Sequence, residues 1–431
     1  MGAGLHSAAM SSGPAAGVRR EIAGVAVADL ARDFGTPTYV YDAARIAERI
    51  ADLAAFDVVR YAQKANANLA VLDWCRRHGA LVDAVSAGEI QRALAAGYPA
   101  RGDPPPIVYT ADVFDRDSLE MVVEHGIAVN LGSADMIDQY AERVPGSEIT
   151  LRVNPGFGHG HSRKTNTGGE HSKHGIWHEE LPEAVGRASG RGLRVTGLHV
   201  HIGSGVDLAH LARVAAAAEA LAAAAEPAVR MLSAGGGLPV PYRPGDERVD
   251  VAAHFARWDA ARRRLEARFG HPVRLEVEPG RYLVAESGYL ITEIRAVKRV
   301  AGRTFYLVDA GFNTLARPVL YGAYHPMSLA PSDGAPRPLR EVVVGGPLCE
   351  SGDIFTQEEG GLVRTQALPE ARVGEHLVIE CAGAYGFVMS SNYNAKPLPA
   401  EVLVRDGKAF LARARQSLQD LLRGERIPES V

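Results

Sequence analysis

The stretch Asp57-Val58-Val59-Arg60-Tyr61-Ala62-Gln63-Lys64-Ala65-Asn66 joins a β-prone run to a single lysine. Val58 to Ala62 is rich in β-branched and aromatic residues and predicts a buried strand. Lys64 follows directly after it, where a deprotonated amine would make this side chain a candidate Schiff-base former. A single lysine is weak support, because most lysines are solvated surface charges. The residues that follow other strands therefore decide the interpretation.

Similar short apolar runs recur between residues 57 and 280 and alternate with helical patterns. One of these patterns, Leu211 to Ala225, is nearly all alanine and leucine and predicts a helix packed on a barrel. About eight strand–helix units result, which is the number that closes a (β/α)8 barrel. The predicted strands are Val58 to Ala62, Leu81 to Val85, Ile107 to Thr110, Ile127 to Leu131, Ile149 to Val153, Val195 to Val200, Val229 to Leu232 and Val273 to Val277.

The pattern changes after residue 290 to strands separated by glycine and proline turns, which is typical of a mostly antiparallel β domain. Thr38 to Tyr41 predicts one more strand for this domain. The expected fold class is α/β plus β, with a (β/α)8 TIM-type barrel and a second, mostly antiparallel domain. The strands predicted after residue 290 are Ile291 to Val300, Thr304 to Val308, Glu341 to Val344, His376 to Glu380 and Glu401 to Val404.

These patterns divide the chain into three parts. The barrel is expected over residues 42–290, and a β-sandwich or β-barrel-like domain is expected from residues 21–41 together with 291–431. Residues 1–20 are rich in alanine, glycine and serine and lack a sustained apolar core. They predict a disordered extension rather than a secretory signal or a membrane span.

The charge and cysteine content indicate which kinds of binding partner and compartment to expect. The net charge of −4 is spread along the 431 residues, so no basic stripe indicates a nucleic acid or an anionic membrane surface. The three cysteines, Cys75, Cys349 and Cys381, are far apart and lack CxxC spacing, which disfavours a disulfide framework and a structural zinc site. We expect small-molecule chemistry in a reducing cytoplasm.

Polar and glycine-rich motifs follow three more of the predicted strands. They are His201-Ile202-Gly203-Ser204, Ser233-Ala234-Gly235-Gly236-Gly237-Leu238 and Glu278-Pro279-Gly280-Arg281. Because a barrel keeps its chemistry on the loops after its strands, these motifs are expected to meet Lys64. Together they offer an aromatic stacker, backbone amides for a phosphate, a carboxylate and a guanidinium. This set is what a pyridoxal phosphate site requires.

Each motif also has a simpler interpretation. His201 by itself reads as a core histidine, Glu278 as half of a surface ion pair, and the triple glycine as a flexible turn that does not match GxGxxG. In a cofactor site, His201 would stack on the pyridine ring and Ser204 would donate to the phosphate. Glu278 would keep the pyridine nitrogen protonated, and Arg281 would add a charged contact to the phosphate.

The second domain must select the reaction, because a cofactor bound in this way serves decarboxylation, racemisation and transamination alike. The loop Gly346 to Asp353 carries the thiol of Cys349 and the two carboxyls of Glu350 and Asp353, a set suited to proton delivery and amine recognition. Arg317, with Tyr321, offers a guanidinium for a substrate carboxylate. Tyr385 offers a hydroxyl to cofactor phosphate or substrate.

A histidine-dense segment is the main competing signal, because clustered histidines can bind zinc. It lacks an HExxH pattern, and its glycine, serine, threonine and asparagine residues favour an ordered polar loop over the barrel mouth. We therefore expect no metal. The histidines are His159, His161, His171, His174 and His178.

From about residue 35 to the C terminus the chain resembles the fold-type III pyridoxal phosphate-dependent decarboxylases, and among them the diaminopimelate decarboxylases. The resemblance implies a homodimer with active sites at the subunit interface, where the partner supplies the CESGD loop. It also implies decarboxylation at the D-configured centre of meso-diaminopimelate to L-lysine and CO2, the last step of lysine biosynthesis. The segments that carry it are YAQKAN, DAVSAGE, RVNPGFGHGHSRKTNTGGEHSKHGIW, HVHIGSGVD, SAGGGL, EPGR, DAGFN, RPVLYGAYH, GPLCESGD and GAYG.

The same resemblance assigns roles to individual residues. The catalytic residues would be Lys64 as the Schiff-base lysine, His201 as the stacking histidine and Cys349 as the proton donor to the α-carbon. The cofactor-binding residues would be Lys64, His201, Ser204, Gly235, Gly236, Gly237, Glu278, Pro279, Gly280, Arg281 and Tyr385. The substrate-binding residues would be Arg281, Arg317, Tyr321, Glu350 and Tyr385.

Four alternatives stay open on the residues alone. A decarboxylase of ornithine, arginine or lysine would share the cofactor site but needs only an acidic group for the distal amine. An amino-acid racemase would need a second base in place of Cys349. A non-catalytic cofactor carrier would not need the long β-rich C-terminal region, and a zinc enzyme would use the histidine-dense loop.

Overall fold

The computed structural model describes residues 17–158, 167–204, 208–225 and 228–429. The first elements lead into the barrel and contribute one strand to the second domain. In chain order they are β1 (Gly17–Val18), β2 (Glu21–Ile22), β3 (Val25–Ala26), α1 (Val27–Phe34), β4 (Thr38–Asp42) and α2 (Ala43–Ala51).

Eight parallel strands close into a barrel, since each pairs with the next and the last returns to the first; β10 pairs with one of them from outside this ring. The predicted fold class is confirmed. The elements are β5 (Val58–Ala62), α3 (Leu69–Arg77), β6 (Leu81–Ala84), α4 (Ala87–Ala95), β7 (Ile107–Ala111), α5 (Arg116–His125), β8 (Ala128–Leu131), α6 (Ala134–Arg143), β9 (Glu148–Asn154), β10 (Ile176–Trp177), α7 (Leu181–Gly190), β11 (Arg194–Val200), α8 (Leu208–Ala224), β12 (Met231–Ser233), α9 (Val251–Phe269), β13 (Arg274–Val277) and α10 (Arg281–Val284).

The barrel interior is packed rather than open, as expected for strands that are buried on both faces. It contains a buried ion pair between neighbouring strands: Arg60 on β5 lies 2.9 Å from Glu276 on β13. A buried ion pair of this kind leaves a costly unpaired charge when either partner is removed. The pair therefore ties the first barrel strand to the last.

The second domain is a ten-stranded, mostly antiparallel sheet. Its central strand β14 pairs with β21, with β15 and with β4 from the N-terminal part of the chain. The later elements are β14 (Gly288–Val300), β15 (Arg303–Val308), α11 (Arg317–Tyr321), β16 (Met327–Ala330), β17 (Leu339–Gly345), β18 (Gln357–Glu358), β19 (Leu362–Val363), β20 (Gln366–Pro369), β21 (His376–Ile379), β22 (Ala400–Arg405) and β23 (Lys408–Arg413).

The end of the N-terminal extension contacts the second domain. Gly17 and Val18 form β1, which pairs in parallel with Ser328 and Leu329 on β16. The disorder expected for residues 1–20 stays a prediction. Residues 1–16 lie outside the described part of the chain.

The second domain contacts the barrel beside the predicted lysine. The side-chain amide of Asn66 donates to the Gly383 carbonyl at 3.2 Å, and the Tyr385 backbone N–H donates to the Ala65 carbonyl at 2.7 Å. The loop after β21 is thus attached to the segment that carries Lys64. In the described ranges, none of the helices combines the length and the apolar character needed to cross a bilayer.

Candidate active site

Lys64 lies in a 3-10 turn, Gln63–Ala65, directly after β5. The Gln63 side-chain amide donates to the carbonyls of Asp83 and Glu89 at 3.2 and 3.1 Å, which holds the turn against the neighbouring strand–helix unit. The Lys64 side chain lines a pocket at the carboxyl ends of the barrel strands. The predicted position of this lysine, just past a strand end, is the observed one.

Glu278 follows β13 and is only 9% exposed. Its Oε2 accepts from His199 Nε2 at 2.7 Å, and its Oε1 accepts from Ser233 Oγ at 3.0 Å. Burial by itself raises the pKa of Glu278, but His199, Arg60 and the Ser233 hydroxyl together lower that pKa to about 2. The carboxylate is therefore ionised across the neutral range, as a partner for a protonated ring nitrogen must be.

His201 follows β11 and lines the same pocket. Its Nδ1 accepts from the Gly236 backbone N–H at 3.1 Å, so the proton of the neutral ring lies on Nε2. Burial, followed by the charges of Arg152 and Lys64, lowers the pKa of His201 well below its usual range. A neutral imidazole of fixed orientation is suited to stack on an aromatic ring.

The glycine loop after β12 is tightly packed against its neighbours. A Cβ on Gly236 would lie 2.5 Å from the Glu278 carbonyl oxygen, and one on Gly235, whose φ is +58°, would lie 2.4 Å from the Val200 carbonyl oxygen. No side chain fits at either position. Gly236 and Gly237 therefore bring bare backbone to the pocket wall, where the Gly236 N–H is donated to His201, and only glycine permits this approach.

Arg281 begins α10 and is buried. Its Nε and Nη2 donate to Ser204 Oγ at 3.2 and 2.9 Å, and its Nη1 donates to the Tyr242 hydroxyl at 2.8 Å. Its guanidinium also lies 5.2 Å from the centroid of the Tyr385 ring. Within the described residues, the hydrogen-bond partners of Arg281 are thus neutral, and its positive charge is available to an anion.

The pocket fits pyridoxal phosphate. A lysine amine, an ionised and hydrogen-bonded Glu278, a neutral His201 and a cationic Arg281 beside bare glycine amides line one cavity. Pyridoxal phosphate needs a carboxylate at its ring nitrogen and cations or amides at its phosphate. The predicted residues that line this pocket are Lys64, His201, Ser204, Gly236, Gly237, Glu278, Gly280, Arg281 and Tyr385.

Two predicted cofactor residues lie behind the lining rather than in it. The Pro279 carbonyl accepts from the Ala62 backbone N–H at 3.1 Å, so this residue joins the ends of β13 and β5. Gly235 accepts from the Glu278 backbone N–H at 2.8 Å. Both residues shape the loops instead of presenting a group to the pocket.

Sequence reasoning missed several residues of the pocket. Asp83 and Arg152 line it and are buried. Each is a charged residue inside a predicted apolar strand, and this signal could have identified them. Burial, followed by the charge of Glu278, raises the pKa of Asp83, so this carboxyl keeps its proton at higher pH than an exposed one. Thr110, His199 and Tyr242 also went unassigned, although they line the pocket or contact its residues.

Arg317 and Tyr321, the predicted substrate residues of α11, lie beside the cofactor pocket. The Arg317 guanidinium is 5.0 Å from the centroid of the Tyr242 ring, which Arg281 also contacts. Arg317 is 5% exposed, and Tyr321 lies close enough to act on the charge of Arg281. Two buried guanidiniums therefore share contacts with Tyr242.

Cys349 and Glu350 are not brought to the pocket of their own chain. Both are exposed, and the Cys349 backbone N–H donates to Asn394 Oδ1 at 2.8 Å on the surface of the second domain. Asp353 shapes this loop, since its carboxylate accepts from the backbone N–H groups of Leu348 and Phe312 at 2.7 and 2.8 Å. The loop is therefore held by several hydrogen bonds, and Cys349 is exposed on its surface.

The histidine-dense segment is only partly described, because His159 and His161 lie outside the described residues. His174 Nδ1 contacts the Asp112 carboxylate at 2.5 Å, which attaches this segment to the end of β7. Within the described part of the chain, no group of three or more histidine, cysteine, aspartate or glutamate side chains is placed to hold a metal ion.

Comparison with known proteins agrees with this site. Residues 43–285 match the family model of the pyridoxal-dependent decarboxylases, pyridoxal binding domain. Diaminopimelate decarboxylase of Escherichia coli K12 is 54% identical over 396 residues, which cover 91% of this chain and 94% of that protein. Diaminopimelate decarboxylase of Streptomyces coelicolor is 54% identical over 407 residues, which cover 94% of this chain and 92% of that protein.

Solved structures give the same result. A crystal structure of diaminopimelate decarboxylase at 54% identity superposes with a TM-score of 0.88 and covers 91% of this chain and 94% of that one. The crystal structure of diaminopimelate decarboxylase from Helicobacter pylori complexed with L-lysine is 30% identical and has a TM-score of 0.80. The match covers 92% of this chain and 98% of that one. Barrel, second domain, cofactor pocket and these relatives lead to one assignment: the chain belongs to the diaminopimelate decarboxylases, a family of pyridoxal-dependent decarboxylases.

Proposed function

We propose that this protein decarboxylates meso-2,6-diaminopimelate to L-lysine and CO2, the last step of lysine biosynthesis. The observation that carries the proposal is the second buried guanidinium, Arg317, beside a pocket that already fits pyridoxal phosphate. Diaminopimelate has an amino-carboxylate centre at each end. One end reacts at the cofactor, and the other needs a cation for its carboxylate.

The residues divide the work as follows. Lys64 would attach the cofactor, His201 would lie against its ring, and Glu278 would keep its ring nitrogen protonated. When bound, pyridoxal phosphate would supply the electron sink for the electron pair that the departing carboxylate leaves behind. Ser204, Arg281 and the glycine loop would hold the phosphate.

The substrate's distal end selects among related reactions. Arg317 is the proposed contact of the distal carboxylate, with Tyr321 and Tyr385 beside it, and Glu350 is the proposed contact of the distal amine. Ornithine, arginine and lysine lack a second carboxylate at the distal end. As substrates they would leave the buried Arg317 charge without an anionic partner. This difference favours diaminopimelate over the other basic amino acids.

The test is a parallel assay of the pyridoxal-phosphate-loaded protein with meso-diaminopimelate, L-lysine, L-ornithine and L-arginine. We expect CO2 and L-lysine from meso-diaminopimelate, and at least about a hundredfold lower kcat/KM for the others. Release from ornithine or arginine at a comparable rate would contradict the assignment of Arg317. Interconversion of enantiomers without CO2 would indicate a racemase instead.

A homodimer with shared active sites is the second part of the proposal. The Cys349 thiol is exposed and is not among the residues that line the pocket with Lys64, as expected if it serves the other subunit. Cys349 of the partner subunit would then donate a proton to the carbon that has lost its carboxylate. We further propose a cytoplasmic location, where free thiols such as Cys75 and Cys381 stay reduced.

Mixing two inactive variants tests the shared site. A mixed dimer contains one Lys64→Ala subunit and one Cys349→Ala subunit. If each site combines Lys64 of one subunit with Cys349 of the other, one site lacks both groups and the other site has both. Random exchange of subunits in an equal mixture should therefore restore about a quarter of the wild-type activity. No restoration after verified subunit exchange would show that Cys349 serves its own chain.

A further inference from the structure

His325 is the last residue of the segment RPVLYGAYH, in which it was given no role; it lies next to Arg317 and is 1% exposed. Its Nε2 is 2.8 Å from Arg317 Nη1, and its Nδ1 is 2.9 Å from the Glu380 carbonyl oxygen. A guanidinium only donates, so Nε2 accepts; a carbonyl only accepts, so Nδ1 carries the proton. The two contacts therefore fix a single neutral tautomer of the imidazole.

That tautomer persists through the working pH range. Burial, followed by the charge of Arg317, lowers the pKa of His325 well below its usual range, although its bond to Glu380 acts in the opposite direction. An arginine does not lose its proton in a protein. The bond from Arg317 to His325 is thus a charged hydrogen bond whose direction does not change near neutrality.

The carbonyl that orients His325 is itself held in place. The Glu380 side chain accepts from Arg19 at 2.8 and 3.1 Å and from Ser328 Oγ at 2.6 Å, next to the end of β21. These contacts attach Glu380 to the N-terminal segment and to β16. The imidazole is consequently oriented by the sheet of the second domain rather than by a free loop.

Tyr242 contacts both Arg317 and His325. The Arg317 guanidinium lies 5.0 Å from the centroid of the Tyr242 ring, and the His325 ring meets that same tyrosine edge-on, with centroids 5.6 Å apart and planes at 81°. Burial and the like charge of Arg281 lower the pKa of Arg317. Ring and imidazole orient the guanidinium without neutralising it.

We infer that His325 is a positioning residue, which holds Arg317 in place for the carboxylate at the distal end of the substrate. This inference rests on the proposed function. A free arginine side chain loses rotamer entropy when it is immobilised. If His325 immobilises Arg317 before binding, that loss does not reduce substrate affinity.

The test replaces His325 with phenylalanine, which keeps a ring against Tyr242 and removes both hydrogen bonds. We expect the KM for meso-diaminopimelate to rise about tenfold while kcat changes by less than about threefold. Inhibition by L-lysine, which keeps the distal carboxylate, should weaken by the same factor. Inhibition by 1,5-diaminopentane, which has no carboxylate, should not change.

Two further variants separate positioning from packing. His325→Gln supplies an amide oxygen that can accept from Arg317, so it should recover most of the lost affinity. His254→Phe makes the same change at another buried histidine, in α9, and should leave both kinetic constants unchanged. If His325→Phe does not fold, His325→Asn tests the same bond, since its side chain is too short to reach Arg317.

Several outcomes would overturn the inference: an unchanged KM, equal weakening of L-lysine and 1,5-diaminopentane, or a lower kcat with a shifted pH profile. The proposed function fails separately, if the wild-type protein releases no CO2 from meso-diaminopimelate. Calorimetric binding of L-lysine to the wild-type protein and to His325→Phe would still decide the role of His325 in that case.

Discussion

Replacing Lys64 with alanine is expected to lower kcat by about a thousandfold or more, the largest effect of any single substitution in this chain. The amine is held in a rigid turn between β5 and the pocket, with Gln63 and Asn66 anchored on either side. Among the described residues, no other lysine lines the pocket. None of these lysines is therefore placed to take over its role.

Covalent attachment provides a second measurement that does not depend on turnover. After borohydride reduction and proteolysis of the wild-type protein, the cofactor should be found on the peptide that contains Lys64. The Lys64→Ala protein should carry none. Lys298→Ala is the matched control, because this lysine is exposed on β14. Attachment at another lysine in the variant would contradict the assignment.

Replacing Glu278 with glutamine should lower kcat by about a hundredfold with a smaller effect on KM. The glutamine keeps the shape, and its amide oxygen can still accept from His199, but the negative charge is lost. Without that charge the ring nitrogen of the cofactor is no longer held protonated. The rate of carboxylate loss falls as a result, whereas substrate binding at the distal end is retained.

The graded control for this position is Glu278→Asp, which keeps the charge but shortens the side chain. We expect its kcat to lie between those of the wild-type protein and Glu278→Gln. Cofactor content and thermal unfolding should be measured for all three, because a buried carboxylate with two hydrogen bonds also contributes to folding. Equal kcat for the wild-type protein and Glu278→Gln would show that the charge is not needed.

The barrel could be predicted from local sequence because its strands are short buried runs with clear composition. Val58 to Ala62 coincides residue for residue with β5, and the run predicted from Val195 to Val200 differs from β11 (Arg194–Val200) by one residue. The tendency of such runs to form strands depends on residues that are close together in the sequence. Their position also placed Lys64, His201 and Glu278 just after strand ends, where a barrel gathers its reactive groups.

Tertiary structure decided which side chains support those three residues. The partner of Glu278 is His199, 79 positions away, and the partner of Arg281 is Tyr242, 39 positions away. Such pairings depend on strand order and on loop paths, neither of which leaves a local pattern in the sequence. Asp83 and Arg152 were visible only as charged residues inside apolar strands.

By itself, the sequence determined the barrel, the second domain and the loops that carry the cofactor chemistry, because strand and turn propensities act over a few residues. Only the tertiary structure placed Arg317 beside Arg281 and put His325 behind it, and it left Cys349 on the outer surface of its own chain. These placements follow from packing between distant segments. These placements determine which substrate the protein selects, because selection depends on where a few charged side chains lie around the cofactor pocket.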